Sequence, residues 1–366
     1  MKRIIPLLLT LLLLSGCLGE RHATPNPDPV LTKYTRQFYD CFDTVIQITA
    51  YCETEAEFEA HADAAENEFR RLHRLYDRFH SYEGVTNIKA VNDQAGGDPI
   101  AVPREIMDLL SLSIDWHEKS GGKVNIAMGS VTGIWQRYMS MYPRGTPAED
   151  TTIPDRAELE AAGAHIDISS IVLNEQDGTV SITDPDLRID LGATAKGYAT
   201  EQVALLLEER GLHSFIISAG GNVRCGSRPE DGERAAWGVG LENPDPDLIQ
   251  TESGLLDVLY TADMSVVSSG DYQRYYLYGE RRIHHLIDPD SLEPGTRYRS
   301  VIVVAPDSGM CDALSTAVYL LDMEEGRALA QSVGAEVIWV APDGEMTVTD
   351  ALLPSLRDLG GAQNTR

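Results

Sequence analysis

The stretch Asp190-Leu-Gly-Ala-Thr-Ala-Lys-Gly-Tyr-Ala199 lies near the middle of the chain and has a distant counterpart in Asp312-Ala-Leu-Ser-Thr-Ala317. Each has the pattern of a strand or turn that runs into a helix, with small residues where a large ligand could approach the backbone. The first stretch taken alone is better explained by ordinary turn glycines followed by a solvated lysine. Together, the two stretches predict a site for a phosphate-bearing ligand and a hard metal ion.

The N-terminus has the features of an export signal. Lys2 and Arg3 precede an apolar run over residues 4–14, which ends in Leu14-Ser15-Gly16-Cys17. The run is too short to span a bilayer comfortably, and Leu-Ser-Gly-Cys resembles the lipobox of bacterial lipoproteins. We expect a signal peptide over residues 1–16, a lipidated Cys17 and an extended, proline-containing tether over residues 17–33. A plain secretory signal with an incidental cysteine is the alternative. The predicted location is the extracytoplasmic face of a bacterial membrane.

The composition argues against nucleic-acid binding. The 366 residues include 57 acidic and 30 basic side chains, for a net charge of −27, and such a surface repels phosphate backbones.

Besides Cys17 the chain has Cys41, Cys52, Cys225 and Cys311. Export permits disulfides, but the spacing favours none of the three possible pairings. No Cys-x-x-Cys pattern or Cys/His cluster predicts zinc.

The order of predicted elements mixes helices and strands without regular βαβ alternation. Apolar periodicity predicts helices over residues 55–78, from Pro103 to the Gly121-Gly122 pair, over 131–138, from the central motif to about residue 210, and over 312–321. Strands are expected within 43–51, 166–189, 214–223, 236–241, 254–261, 265–269, 300–305, 337–340 and 346–349. Residues 143–154 are interpreted as a surface insertion. The prediction is an α+β fold with mixed, largely antiparallel sheets and packed helices.

Eight short motifs, in order, resemble those of the ApbE family, the FAD:protein FMN transferases, over about residues 35–348. They are Asp43-Thr44; Ser81-Tyr82 with Thr86-x5-Asn92; Gly121-Gly122-x-x-Asn125-Ile126; Asp190-Leu-Gly-Ala-x-Ala-Lys-Gly-Tyr-Ala199; Gly220-Gly221-Asn222; Ser269-Gly270-Asp271-Tyr272; His285-Leu-Ile-Asp288-Pro289; and Asp312-Ala-x-x-Thr316-Ala317. The resemblance implies an ApbE-like, T-fold-like domain over residues 34–355, a single two-lobed catalytic unit, followed by a tail over 356–366. The chain departs from the family pattern at Phe42, at Val124-Asn125 and at His284.

The resemblance also implies an activity and its residues. FAD is the substrate, its pyrophosphate is cleaved with Mg²⁺ or another divalent cation, and FMN passes to a threonine or serine of a target protein with release of AMP. The catalytic residues would be His285 and Asp312. The metal ligands would be Ala193, Asp312, Ser315 and Thr316, and the contacts to FAD would be Ser81, Tyr82, Asn125, Asp190, Lys196, Ser269, Asp271 and Leu286.

The residue types at three of these positions suit that chemistry. Asp312 and Thr316 are one helical turn apart, so a carboxylate and a hydroxyl converge on one point, and Mg²⁺ prefers oxygen ligands. Helix N-capping is the alternative explanation for this pair. His285 suits a general base for the acceptor hydroxyl because imidazole titrates near neutrality. The neighbouring His284 cannot face the same side of a strand, and the His-x-x-Asp-Pro pattern selects His285. A structural role in the loop is the alternative for His285.

Several partners and competing functions follow. The target would be an extracytoplasmic subunit of an Rnf or sodium-pumping quinone reductase complex, or a secreted flavoprotein, and the lipid anchor would hold the enzyme at the membrane. An FAD pyrophosphatase would use water in place of the acceptor hydroxyl. A lipoprotein that only binds FAD would not need a metal and a base. A two-lobed solute receptor is disfavoured because the chain lacks regular βαβ halves.

Overall fold

The computed structural model describes residues 31–251 and 253–365. The predicted signal peptide, the lipidation site Cys17 and the tether as far as residue 30 lie outside the described residues. Within those residues, no helix combines the length and the apolar character needed to cross a bilayer.

The strands alternate irregularly with the helices along the chain. The strands are β1 (Thr32–Cys41), β2 (Thr44–Cys52), β3 (Ile100–Ala101), β4 (Ile171–Asn174), β5 (Thr179–Ile182), β6 (Phe215–Ala219), β7 (Asn222–Cys225), β8 (Trp237–Glu242), β9 (Leu255–Thr261), β10 (Ser265–Gly270), β11 (Tyr275–Tyr278), β12 (Arg281–His284), β13 (Ser300–Ala305), β14 (Glu336–Val340) and β15 (Met346–Val348). The α-helices are α1 (Glu55–Tyr76), α2 (Ile88–Asp93), α3 (Arg104–Lys119), α4 (Gly129–Met141), α5 (Arg156–Gly163), α6 (Ala195–Glu209), α7 (Ser308–Leu320), α8 (Met323–Ser332) and α9 (Arg357–Gly360).

Eight strands form the main sheet, in the order β1-β2-β6-β7-β10-β13-β14-β15. Smaller sheets contain β3-β5-β4, β8-β9 and β11-β12. Each strand ladder among the described residues is antiparallel. The predicted α+β class with largely antiparallel sheets is therefore confirmed.

The middle of the main sheet is covered on both faces. All six residues of β13, Ser-Val-Ile-Val-Val-Ala, are buried. Val301 and Val303 pack in one apolar cluster with residues of α7, while Ile302 and Val304 face the cluster formed with β8 and β9. A strand that is buried on both faces needs a continuous run of apolar residues rather than alternating apolar and polar residues. This packing fixes α7 against the sheet.

Helix α7 begins at Ser308, four residues before the predicted start at Asp312. The cap is Asp307, whose side chain accepts a hydrogen bond from the Met310 N–H at 2.7 Å. Asp312 therefore lies in the second turn of the helix, and the N-capping alternative for Asp312 is wrong. Its carboxylate is available for another role.

The predicted surface insertion, residues 143–154, packs on the β11-β12 hairpin. The Thr151 hydroxyl donates to the Leu277 carbonyl at 2.6 Å, and the Tyr276 hydroxyl donates to the Thr152 carbonyl at 2.9 Å. The hairpin is thereby held in place just before His285.

The C-terminal residues pack against β8 and β9. Leu356 is fully buried, and the Asp257 carboxylate accepts the N–H groups of Asp358 and Leu359, each at 2.9 Å. The four cysteines outside the N-terminal segment are buried free thiols.

Candidate active site

One cavity of about 580 Å³ gathers most of the predicted site residues, and its size is within the usual range for small-molecule sites. It lies where the β1-β2 turn, the end of α1, the start of α6, helix α7 and the loop after β12 meet. The predicted residues that line it are Asn125, Asp190, Ala193, Lys196, Ser269, His285, Leu286, Asp312 and Thr316. Ser81, Tyr82, Asp271 and Ser315 lie off its lining.

Asp312 is held at the cavity by the start of α6. Its Oδ2 accepts a hydrogen bond from the Gly197 N–H at 2.7 Å, so Oδ1 remains available to a ligand. A Cβ at position 197 would lie 2.4 Å from the Asp312 Cβ and 2.3 Å from the Ser308 carbonyl oxygen. Only glycine allows α6 and α7 to approach this closely.

A buried carboxylate fixes the same two helices one turn further on. Glu201, on α6, accepts the Ser308 N–H at 2.8 Å and Nε of Arg224 at 3.2 Å. The first of these bonds satisfies a free backbone donor at the N-terminus of α7. Asp312 and Thr316 are therefore presented by a helix that is anchored at its start.

Lys196 and Asp312 face each other inside the cavity. Burial raises the pKa of Asp312 and lowers the pKa of Lys196, while the opposite charge of each residue acts against these shifts. The Lys196 ammonium donates to the Gly220 carbonyl at 2.9 Å. Lys196, a predicted contact to FAD, therefore already donates to a backbone carbonyl of the protein.

Asn222 lies beside Asp312 and lowers its pKa. It is 1% exposed, and neither of its amide atoms reaches a described partner with hydrogen-bond geometry. A buried amide in this condition is unfavourable unless a ligand completes its contacts.

The donors at this end of the cavity fit a hard divalent cation. Asp312, Thr316 and Ala193 all line it. They carry a carboxylate, a hydroxyl and a backbone carbonyl, and oxygen donors are what Mg²⁺ prefers. Ser315 is buried, and its hydroxyl donates to the Asp312 carbonyl at 2.8 Å and lies 2.8 Å from the Ser269 hydroxyl. Its carbonyl lies within α7, in the position of an ordinary helix acceptor. Asp312, Thr316 and Ala193 are the better placed of the four predicted ligands.

The two adjacent histidines lie in different surroundings. His284 is 1% exposed, its Nε2 lies 2.8 Å from the Gly295 carbonyl oxygen and its Nδ1 accepts the Leu286 N–H. His285 opens onto the cavity. Surrounding protein displaces part of the water around the His285 ring, and this desolvation, aided by the charges of His284, Arg274 and Lys196, lowers its pKa. The ring is therefore neutral at pH 7 and able to accept a proton.

Asp190 organises the opposite wall. Its Oδ2 accepts the Thr132 hydroxyl at 2.5 Å and lies 3.2 Å from Nη2 of Arg78, and its Oδ1 accepts the Gly192 N–H at 2.9 Å. Arg78 also donates to Oε1 of Gln136 at 2.6 Å. The Asp190 carboxylate thus accepts hydrogen bonds from the protein through both of its oxygens.

Asn125 and the exposed rings complete the lining. The Asn125 amide donates to the Ile166 carbonyl at 2.9 Å, and its oxygen accepts the Ala127 N–H at 2.9 Å. Phe79 is 57% exposed at the lining, with the Arg78 guanidinium 4.7 Å from its ring centroid. Phe79 therefore offers an aromatic ring to a ligand in the cavity, although it is not among the predicted residues.

Tyr82 and Asp271, two of the predicted contacts to FAD, lie outside the cavity lining. The Tyr82 hydroxyl donates to Oδ2 of Asp77, a residue of the cavity lining, at 2.7 Å, whereas Tyr82 and the adjacent Ser81 are outside that lining. Asp271 is buried between Arg282 (3.1 Å) and Arg299 (2.9 Å), so its two oxygens already have cationic partners. The polar groups of both side chains bond to protein groups, and their contact with FAD stays a prediction.

Three cations that line the cavity are absent from the predicted set: Arg78, Lys123 and Arg274. Lys123 bridges Asp288 (2.8 Å) and Asp290 (2.7 Å), and Nη2 of Arg274 donates to the Asp43 carbonyl at 3.0 Å. The only sequence signal was adjacency, since Lys123 follows the Gly121-Gly122 pair and Arg274 follows the Ser269–Tyr272 motif.

The chain is similar to proteins of one family. The ApbE family model matches residues 42–339. The FAD:protein FMN transferase of Treponema pallidum is 29% identical over 329 residues, covering 86% of this chain and 87% of that protein, and the Escherichia coli K12 protein of the same name is 26% identical over 268 residues, covering 72% and 73%.

Two solved structures share the fold. The ApbE protein of Thermotoga maritima superposes with a TM-score of 0.74 at 23% identity, and the flavin transferase ApbE of Vibrio cholerae with a TM-score of 0.74 at 21% identity. Each comparison covers 89% of this chain and 100% of the solved chain.

Proposed function

The chain belongs to the ApbE family, and from this premise we propose that it transfers FMN from FAD to a threonine or serine hydroxyl of a target protein and releases AMP. The observation that carries the proposal is the convergence of Asp312, Thr316 and His285 on one cavity. A protein that only bound flavin would not need an oxygen-donor cation site beside a neutral imidazole.

The cavity suits a long ligand with planar ends. Its lining includes the aromatic rings of Phe42 and Phe79 and the apolar side chains of Leu286 and Ile287. Aromatic faces favour stacking with an isoalloxazine or adenine ring. The polar end, with Asp312 and Thr316, is left for the pyrophosphate.

Asp312, Thr316 and the Ala193 carbonyl would hold the divalent cation, for which we propose Mg²⁺. When bound, a cation of this kind neutralises charge on phosphate oxygens and makes phosphorus more susceptible to attack. Gly197 contributes indirectly, because its N–H fixes the orientation of the Asp312 carboxylate.

His285 would act as the general base. The neutral ring accepts the proton of the acceptor hydroxyl while the hydroxyl oxygen forms a bond to the FMN phosphorus. The bond between this phosphorus and the bridging oxygen breaks, and AMP leaves with the electron pair. Positioning and charge stabilisation supply most of the rate enhancement in such transfers.

The acceptor and the location are further parts of the proposal. The signal-like N-terminus and Cys17 support an enzyme anchored by lipid at the extracytoplasmic face of a bacterial membrane. Its targets would be exported flavoproteins, including subunits of Rnf-type or sodium-pumping quinone reductase complexes.

The test is incubation of the protein with FAD, Mg²⁺ and an exported candidate acceptor, followed by the intact mass of the acceptor. A mass gain of one FMN that EDTA abolishes supports the transferase. Asp312→Asn should lose this activity, whereas Asp247→Asn, which changes an exposed aspartate, should retain it. FMN and AMP in solution without acceptor labelling would indicate a pyrophosphatase instead, and bound, unreacted FAD would indicate a binding protein.

A further inference from the structure

Four arginine or lysine side chains line the cavity, and three of them have carboxylate neighbours. Arg78 lies 3.2 Å from Asp190, and Lys123 lies 2.8 Å from Asp288. In the part of the chain that the structure describes, Lys196 forms no ion pair within 4 Å, but the opposite charge of Asp312 acts to raise its pKa. Among the described residues, Arg274 makes no ion pair within 4 Å, although its side chain is exposed to the cavity. Its charge is therefore available to an anionic ligand.

Arg274 lies next to the groups proposed to carry out the reaction. Arg274 lines the same cavity as Lys196 and His285, and its positive charge adds to the effect of burial in lowering the pKa of both groups. An anion that contacted Arg274 would lie within the same end of the cavity as His285.

The guanidinium is held by a turn that is distant in sequence. Nη2 of Arg274 donates to the Asp43 carbonyl at 3.0 Å. Asp43 and the preceding Phe42 both have left-handed backbone conformations, with φ of 51° and 53°, which non-glycine residues adopt at a cost. Thr44 packs closely on Gly220. A Cβ added at position 220 would lie 2.0 Å from the Thr44 hydroxyl oxygen. This packing fixes the carbonyl that orients Arg274.

We propose that Arg274 binds the pyrophosphate of FAD and stabilises its negative charge during transfer, an inference that rests on the proposed function. Only one of the five guanidinium N–H groups donates to the Asp43 carbonyl, and a guanidinium pairs with phosphate oxygens through two parallel hydrogen bonds. Lys196, by contrast, is engaged with Gly220 and Asp312. Arg274 is thus a phosphate-binding residue of the site.

The test compares ligands that share a ring but differ in phosphate. Dissociation constants for FAD and for riboflavin, which has no phosphate, are measured by flavin fluorescence with the wild type, Arg274→Gln and Arg274→Lys. We expect Arg274→Gln to weaken FAD binding about 10-fold or more, as loss of a charge-assisted hydrogen bond does, and riboflavin binding less than about 2-fold. The FAD dissociation constant of Arg274→Lys should lie between those of the wild type and Arg274→Gln. A lysine keeps the positive charge but lacks the two parallel N–H donors of a guanidinium.

The matched control is Arg104→Gln, which removes an arginine charge from an exposed position at the start of α3 and should leave both constants unchanged. Unchanged FAD binding by Arg274→Gln would overturn the inference, and so would an equal loss of FAD and riboflavin binding, which would assign Arg274 to the ring or the fold. If the wild type bound FAD no more tightly than riboflavin, the phosphates would add no affinity, and the inference alone would fail. If it bound neither flavin, the proposed function would fail as well.

Discussion

The Gly197 N–H donates to Oδ2 of Asp312 at 2.7 Å across a sequence separation of 115 residues. This bond ties the first turn of α6 to the second turn of α7. It joins the two short motifs from which the sequence analysis starts, and it leaves one oxygen of a buried carboxylate facing the cavity. The site therefore depends on how closely two helices approach each other.

Gly197→Ala should separate these helices. The new methyl group would overlap with the Ser308 carbonyl oxygen and the Asp312 Cβ, and overpacking of this kind costs about 1–3 kcal/mol. We expect a lower midpoint in thermal unfolding and weaker Mg²⁺ binding by calorimetry. Gly133→Ala, in the interior of α4, is the matched control. A Cβ added at position 133 would have no atom within 4 Å, and alanine is favoured over glycine inside a helix by about 1 kcal/mol. Equal stability of Gly197→Ala and wild type would contradict the tight packing.

The sequence predicted what depends on local pattern. The apolar spacing of α1 and the uninterrupted apolar run of β13 identified those elements because each is determined by its own burial. The start of α7 could not be placed, since Asp307 and Asp312 are both plausible caps and Ser308-Gly309 is a poor helical start. Only the packed structure shows that Asp307 is the cap.

The site was predictable where its residues fall in the motifs, as Asp190, His285 and Asp312 do. Arg78, Lys123 and Arg274 become part of it through partners 58, 165 and 231 residues away. No local pattern encodes such contacts. The bond of Tyr82 to Asp77 could not be predicted for the same reason, because it depends on the exit of the chain from α1.

His285→Ala should depress transfer much more than FAD binding. Loss of a general base typically lowers the rate by a factor of about 10²–10⁴, whereas His285 is only one of the many residues that line the cavity. Single-turnover labelling of the acceptor measures the rate, and fluorescence titration measures the FAD dissociation constant. His213→Ala, at an exposed position between α6 and β6, is the control. Weaker FAD binding with an unchanged labelling rate would assign His285 to structure.

The pH profile should reflect the lowered pKa of His285. An ordinary histidine has a pKa of about 6.5 and would lose half its activity as a base at that pH. Because the pKa of His285 is lowered, the ring stays neutral through pH 6.5 and is protonated only at lower pH. The acid limb of kcat/KM, which reports the free enzyme, should therefore lie below pH 6.5 at saturating Mg²⁺. A limb at or above pH 6.5 that disappears in His285→Ala would refute this expectation.

Lys123 links the Gly121-Gly122 loop to the turn that follows His285. Its ammonium donates to Asp288 at 2.8 Å and to Asp290 at 2.7 Å, and these bonds raise its pKa against the effect of burial. The side chains of Lys123 and Asp288 are only 15% and 22% exposed, while that of Asp290 is 81% exposed. The bond to Asp288 should therefore be the stronger of the two.

Lys123→Met should leave the Asp288 carboxylate without its cation, at a cost of about 1–3 kcal/mol in stability, and should loosen the loop that carries His285. We expect kcat for acceptor labelling to fall more than the affinity for FAD, because the base loses its position while most of the ligand contacts remain. Asp290→Asn should cost less than about 1 kcal/mol, as exposed ion pairs do. Lys119→Met, which removes an exposed lysine from the last turn of α3, controls for the change in net charge. Denaturant unfolding and steady-state kinetics of the three variants measure the free energy of unfolding and kcat. Equal changes in both quantities for Lys123→Met and Lys119→Met would mean that the bond to Asp288 does not position the loop.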